Sequence, residues 1–320
     1  MRYKPLGSTG ASVSILGFGA SPLGNVFGQA DPTEAERAVH EAVGCGINLF
    51  DVSPYYGRTL AEERLGKALA GKREQVMLAT KCGRYSADAF DFSARRVETS
   101  VDESLRRLKT EYVDILQVHD VEFGGIQQII DETIPALRRI QEKGKARFIG
   151  ITGYALGMLR EIAGQIAVDT VLSYCRYNLM ITDMDLLLTP AIREKGIGLI
   201  NASPFHMGIL TEEGAPAWHP APRQVKDAGA RVVEHCRKRG VDPSMAALRF
   251  CLDHAYVSST LAGMATAKHV RNNLRALDME LDPALLEEIQ TIVKPVKDTV
   301  WMSGRAENAD FSGTREKTGA

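Results

Sequence analysis

Eight short apolar runs, rich in β-branched residues, alternate along this chain with longer amphipathic stretches. The runs fall at 13–19 (VSILGFG), 46–52 (GINLFDV), 76–81 (VMLATK), 113–119 (VDILQVH), 146–152 (ARFIGIT), 170–174 (TVLSY), 197–203 (IGLINAS) and 257–263 (VSSTLAG). Nearly continuous apolarity suits strands covered on both faces, the condition of a parallel sheet. Repeated eight times in about 260 residues, the alternation predicts an α/β protein with a closed (β/α)8 (TIM) barrel. A doubly wound open sheet is the alternative architecture.

The stretches between the runs carry helix punctuation. Asp31-Pro32 opens one helix, with Glu34 and Glu36 in its first turns. Val97, Val101, Leu105 and Leu108 put an apolar stripe on a helix over 93–108. A helix over 133–143 ends at Gly144, and Asp242-Pro243 starts another just after Gly240. The segment 223–239 reads as an extra helix before 243–254, and 1–12 as a hairpin turning through Gly7-Ser8-Thr9-Gly10. No linker divides the chain, so residues 1–320 are expected to form one domain, with a loop or partly disordered tail from about 299.

A formal net charge of -1 gives no reason to expect nucleic acid or an anionic membrane as a partner. No apolar run approaches the ~20 residues that span a bilayer. The N-terminus lacks the apolar core of a signal peptide. Five scattered cysteines fit buried thiols in a reducing, cytoplasmic setting, and the absence of CxxC and HExxH leaves no dedicated metal site. The expectation is a monomer or small homo-oligomer acting on a small molecule.

Barrel enzymes place their chemistry at the C-terminal ends of the strands. Those ends, for runs two to eight, are Asp51, Lys81, His119, Thr152, Tyr174, Ser203 and Gly263. Taken singly, Asp51 reads as a turn cap, Lys81 as a snorkelling rim residue, His119 as a strand-end histidine and Tyr56 as a packing aromatic. Taken together at one rim they make a proton-transfer site. An unpaired buried carboxylate or ammonium is costly, so Asp51 and Lys81 are expected to pair. The Lys81 ammonium would lower the pKa of Tyr56, ordinarily ~10. His119 would orient a carbonyl or alcohol oxygen.

Redox chemistry at such a site needs a hydride partner. The dinucleotide fingerprint GxGxxG is absent, as is the Tyr-x-x-x-Lys pair of short-chain dehydrogenases. A different phosphate cradle is available in the loops after runs seven and eight, with Ser203, Met207, Gly208 and Leu210 in one and Gly263 and Thr266 in the other. A glycine turn with an N-cap at Thr266 is the structural alternative.

In this combination and order the residues resemble the aldo-keto reductase family over nearly the whole chain. Asp51, Tyr56, Lys81 and His119 match its catalytic pattern. Ser203, Pro204, Gly208, Gly263, Thr266 and Asn273 match its cofactor pattern. The runs GFGASPLGNVFG, DVSPYYG, ATKCGRY, DFSARRV, ARFIGITG, SYCRYN and PAWHPAP resemble the subgroup of L-galactose and D-threo-aldose 1-dehydrogenases. That resemblance implies NAD-dependent oxidation of an aldose at C1 to the lactone, with Tyr56 as proton acceptor. It implies Thr152 and Tyr174 at the nicotinamide carboxamide, where many members carry Ser-Asn and Gln, and Tyr55, His119 and Trp301 around the sugar. Ala202 and Phe205-His206 also depart from the common pattern. Ala265 stands where an arginine for a 2′-phosphate is typical, which favours NAD over NADP, with Lys268 and Arg271 near by. An aldehyde or pyridoxal-type oxidoreductase is the second enzymatic reading, and a non-catalytic cofactor-binding regulatory subunit a third.

Overall fold

The computed structural model describes residues 1–310. Strands β1 (Tyr3–Pro5) and β2 (Ser12–Ser14) form the antiparallel hairpin. Then come β3 (Leu16–Gly19), β4 (Leu49–Asp51), β5 (Met77–Cys82), β6 (Val113–Val118), β7 (Ala146–Gly153), β8 (Thr170–Tyr174), β9 (Gly198–Ala202) and β10 (Ser259–Gly263). These eight are all parallel, in sequential order, and β10 pairs back onto β3 to close the barrel. The run 13–19 is therefore two strands, parted at Ile15. Its first half joins the hairpin and its second half the barrel.

Strand alternation sorts side chains into two cores. Phe50, Leu78, Leu116 and Ile149 point outward into the large cluster under the helices. Leu49, Met77, Ala79, Ile115, Leu172, Ile200 and Leu261 fill the barrel with Leu6 and Val13 of the hairpin. The hairpin thus plugs one end, and Gly7 (φ +54) lies so close to Gly198 that a Cβ would fall 2.3 Å from its amide nitrogen.

Helices whose caps the sequence announces are found where expected. Asp31 accepts from the amides of Thr33 and Glu34 ahead of Pro32–Gly44, Ser93 from Arg96 ahead of Ala94–Leu108, and Asp242 from Ser244 and Met245 ahead of Pro243–Leu252. The helix expected over 133–143 continues a shorter helical stretch beginning at Ile126, through a π-turn at Ile129–Thr133. The extra helix Arg223–Lys238 packs with Pro283–Val293 around a separate apolar cluster that includes Leu210 and Val225. From residue 299 the chain is loop apart from one short turn at Ala306–Asn308, and 311–320 lie outside the described residues. No helix among the described residues is long and apolar enough to cross a membrane.

Candidate active site

Inward parity carries Asp51, Lys81 and Gln117 into the barrel near the strand C-termini on the adjacent strands β4, β5 and β6, with Lys81 paired to Gln117 and Asp51 to Ala79 one pleat below. Lys81 Nζ donates to Asp51 Oδ1 at 2.5 Å, to the carbonyl of Val52 at 3.0 Å and to Tyr56 Oη at 3.4 Å. Gln117 Nε2 donates to the other carboxylate oxygen of Asp51 at 3.1 Å. Burial works against the Lys81 ammonium, but Asp51 and Tyr56 outweigh it and hold the group above its ordinary value. A buried pair with every donor placed keeps its charges; losing one partner would strand the other.

Tyr56 reaches this layer from the loop after β4. Ser53 turns the loop by accepting from the Tyr55 amide at 3.1 Å, and the Tyr56 amide donates to the Ser53 carbonyl. Gly57 (φ +65) packs backbone to backbone on Gly24, where a Cβ would meet a carbonyl oxygen at 2.2 Å. Burial pushes the Tyr56 phenol up to about 12, while Lys81 pulls it down. The lowering expected from the sequence is present as a contribution, but desolvation of the phenolate exceeds it.

His119, one residue past β6, is buried with its ring edge-on to Tyr56 and Tyr55, centroids 5.7 and 5.8 Å away. Its Nδ1 lies 2.9 Å from Ser53 Oγ. The Ser53 hydroxyl, while accepting from the Tyr55 amide, can donate its proton to Nδ1, and in that tautomer the ring proton sits on Nε2. Burial, then Lys81 and Arg84, hold the imidazole well below its ordinary pKa, so it is neutral. A neutral ring with Nε2–H beside a phenol can position one substrate oxygen without being an acid itself.

The loops after β9 and β10 hold residues that the sequence puts forward for a dinucleotide. Thr266 caps the helix Ala267–Arg275 through the His269 amide. Ser203, His206 and Met207 all have positive φ (61, 49 and 49°), three strained non-glycine residues in one loop. The buried Asn273 has an Nδ2 without a protein partner, spare donor capacity suited to a polar ligand. The side chain of Leu210 is buried in the outer cluster and its amide donates to the Phe205 carbonyl. The Thr152 hydroxyl accepts from the Asp120 amide at 3.1 Å. Tyr174 ends β8 against Tyr154, whose ring stacks on Trp301 at 4.6 Å.

Four participants escaped the sequence reading. Gln117 shares an inward face with His119 and was findable by alternation alone. Ser53, Arg84 and Asp120 sit on loops, where no periodicity announces direction. Among the described residues no cluster of histidines, cysteines and carboxylates could hold a metal.

A parallel eight-stranded barrel with this Asp-Tyr-Lys-His group at its strand ends defines a class, and the sequence profile of the Aldo/keto reductase family matches residues 15–294. The chain belongs to that family and is an oxidoreductase; aldo-keto reductases use a nicotinamide dinucleotide. It is 46% identical over 319 residues to the L-galactose dehydrogenase of Arabidopsis thaliana, covering 96% of this chain and 99% of that one. It is 26% identical to a D-threo-aldose 1-dehydrogenase of a Pseudomonas species, across 88% and 94% of the two chains. A holo-form aldo-keto reductase of Bacillus halodurans superposes with a TM-score of 0.78 at 29% identity, covering 94% of this chain and 98% of that one.

Proposed function

We propose that this protein is an NAD-dependent aldose 1-dehydrogenase that oxidises L-galactose, or a sugar of similar stereochemistry such as L-fucose, to the lactone. The observation that carries the reading is the assembled Asp51–Lys81–Tyr56–His119 group in a chain so similar, end to end, to a protein named for that activity. His119 Nε2–H holds the C1 oxygen. Tyr56 Oη takes the hydroxyl proton as the C1–O double bond forms, and the Lys81 ammonium stabilises the phenolate side of that exchange. Asp51 and Gln117 keep Lys81 charged and pointed. The nicotinamide, when bound, supplies the acceptor for the C1 hydride. Gly263, Thr266 and Asn273, with the Ser203–Gly208 loop, are the residues to hold the dinucleotide.

The preference for NAD rests on charge. Ala265 offers no cation for a 2′-phosphate. The Arg271 guanidinium is engaged by Glu41 at 3.0 and 2.9 Å, and the Glu213 carboxylate bears on His269 at the start of the same helix. Steady-state kinetics over a panel of aldoses, pyridoxal and simple alcohols, each with NAD and NADP, tests the proposal. L-Galactose or a close stereoisomer should give the highest kcat/KM, with NAD. Turnover of pyridoxal or simple alcohols but of no aldose would overturn the substrate; equal efficiency with NADP would overturn the cofactor preference.

A further inference from the structure

Beside the reacting group lies hydrogen-bonding capacity that nothing in the protein uses. Asp120 follows His119 in a left-handed conformation (φ +51). Its Oδ2 lies 3.7 Å from His119 Nε2 and accepts from Arg84 Nη1. Its Oδ1 has no partner, and neither does Arg84 Nε, though both atoms are buried. Asp120 as a whole is 2% exposed. Buried polar atoms without partners are rare because each forfeits its hydration, so two on one ion pair require an explanation.

The pair is also held rigidly. The Arg84 guanidinium lies over the Tyr55 ring at 4.0 Å and against Phe90 and Phe123, whose own rings stack at 4.3 Å. Arg84 bridges to Phe90 across the loop after β5, and the Asp120 amide is fixed by Thr152. An acceptor and a donor therefore stand preset on an ion pair whose carboxylate lies 3.7 Å from His119 Nε2. That is the arrangement for a substrate bearing a second hydroxyl next to its reacting carbon.

We propose that Asp120 and Arg84 are specificity-determining residues that bind the hydroxyl adjacent to the reacting carbon, Asp120 Oδ1 and Arg84 Nε supplying the acceptor and donor. This rests on the aldose reading above and deepens it. A polyhydroxylated substrate fills both vacant bonds, whereas an aldehyde or alcohol without that hydroxyl leaves them empty in a dry site. Sites that bind a hydroxyl this way reject the analogue lacking it far more strongly than apolar pockets distinguish a methylene.

The test compares kcat/KM for the preferred aldose and its 2-deoxy analogue in the wild type, Asp120→Asn and Arg84→Gln. The wild type should favour the hydroxylated sugar, and each variant should shrink that ratio by about tenfold to a hundredfold, the worth of a hydrogen bond to a charged group. NAD titration of each variant checks that its cofactor site is intact, and either variant suffices should the other fail to fold. Ratios unchanged from wild type, with activity falling equally on both sugars, overturn this proposal while leaving the aldose reading intact. A wild type that oxidises no aldose at all overturns both.

Discussion

At Tyr56 burial and charge oppose each other, and burial wins. Lys81 lies at hydrogen-bond range, yet desolvation leaves the phenol at about 12, so the resting residue is neutral at pH 7. A neutral phenol is ready to donate a proton; to accept one it must first be ionised. The phenolate fraction rises about tenfold per pH unit below the pKa. The oxidation rate should accordingly climb between pH 7 and 10, and the reverse reduction should not. Tyr56→Phe should lower kcat by about 10²–10⁴-fold, the range for a general acid–base, while NAD binding persists. A pH–rate profile for oxidation that stays flat or falls across this range would remove Tyr56 as the proton acceptor. Asp51, Lys81 and His119 were legible because each is a polar residue at or just past an apolar strand end, and Tyr56 through its place five residues after Asp51 in the family's catalytic pattern. Their supports were less so: Gln117 lay open to a parity argument, whereas Ser53 and Asp120 owe their roles to loop torsions that no pattern encodes.

Elements follow the same division between what is announced and what is not. Barrel strands were legible to within a few residues because burial on both faces leaves continuous apolar runs. Capped helices were legible too. Leu60–Ala68 and Leu156–Gln165 carry no side-chain cap, at Thr59 and Ala155 respectively, and tertiary packing rather than local punctuation sets where they begin. The loop that delivers Tyr56 is likewise fixed from outside, by the Gly57–Gly24 contact. Gly57→Ala adds both a positive-φ cost of ~1–2 kcal/mol and a collision with backbone that has no rotamer to change. Gly71 has a similar φ (+73) but open space around it, so Gly71→Ala incurs only the first cost. Melting temperature and kcat should both drop more for Gly57→Ala than for Gly71→Ala, with kcat hardly changed in the latter. Equal effects would mean that the contact does not position Tyr56.

At the scale of the molecule, the final described segment works as a strap across the barrel end. Asp310 accepts from the buried Arg176 at 2.9 Å and from the Leu156 amide at 2.6 Å, which ties residues far apart in sequence. The second anchor is Glu122, whose carbonyl accepts from the Arg305 amide and the Asn308 side chain, and whose Oε1 accepts from Ser303 Oγ and the Tyr154 amide, both at 3.0 Å. Burial, reinforced by the neighbouring Asp120, pushes the Glu122 carboxyl up to about 8. A carboxyl raised in the fold keeps a proton that the unfolded chain releases. Stability must then decline as pH rises from the unfolded value of 4.5 towards 8, and level off beyond. The buried histidines 119, 206 and 219 act in the opposite sense, but their pKa values are lowered, so by pH 7 they are largely neutral in both states. Between pH 7 and pH 9 the buried thiols of Cys82, Cys175, Cys236 and Cys251, also raised by burial, lower stability in the same sense, so it is the comparison with Glu122→Gln that isolates Glu122. The wild type should melt lower at pH 9, and Glu122→Gln, which cannot ionise but keeps an acceptor for Ser303 and Tyr154, should lose less over the same interval. If both proteins lose the same amount, Glu122 is not the proton the strap holds.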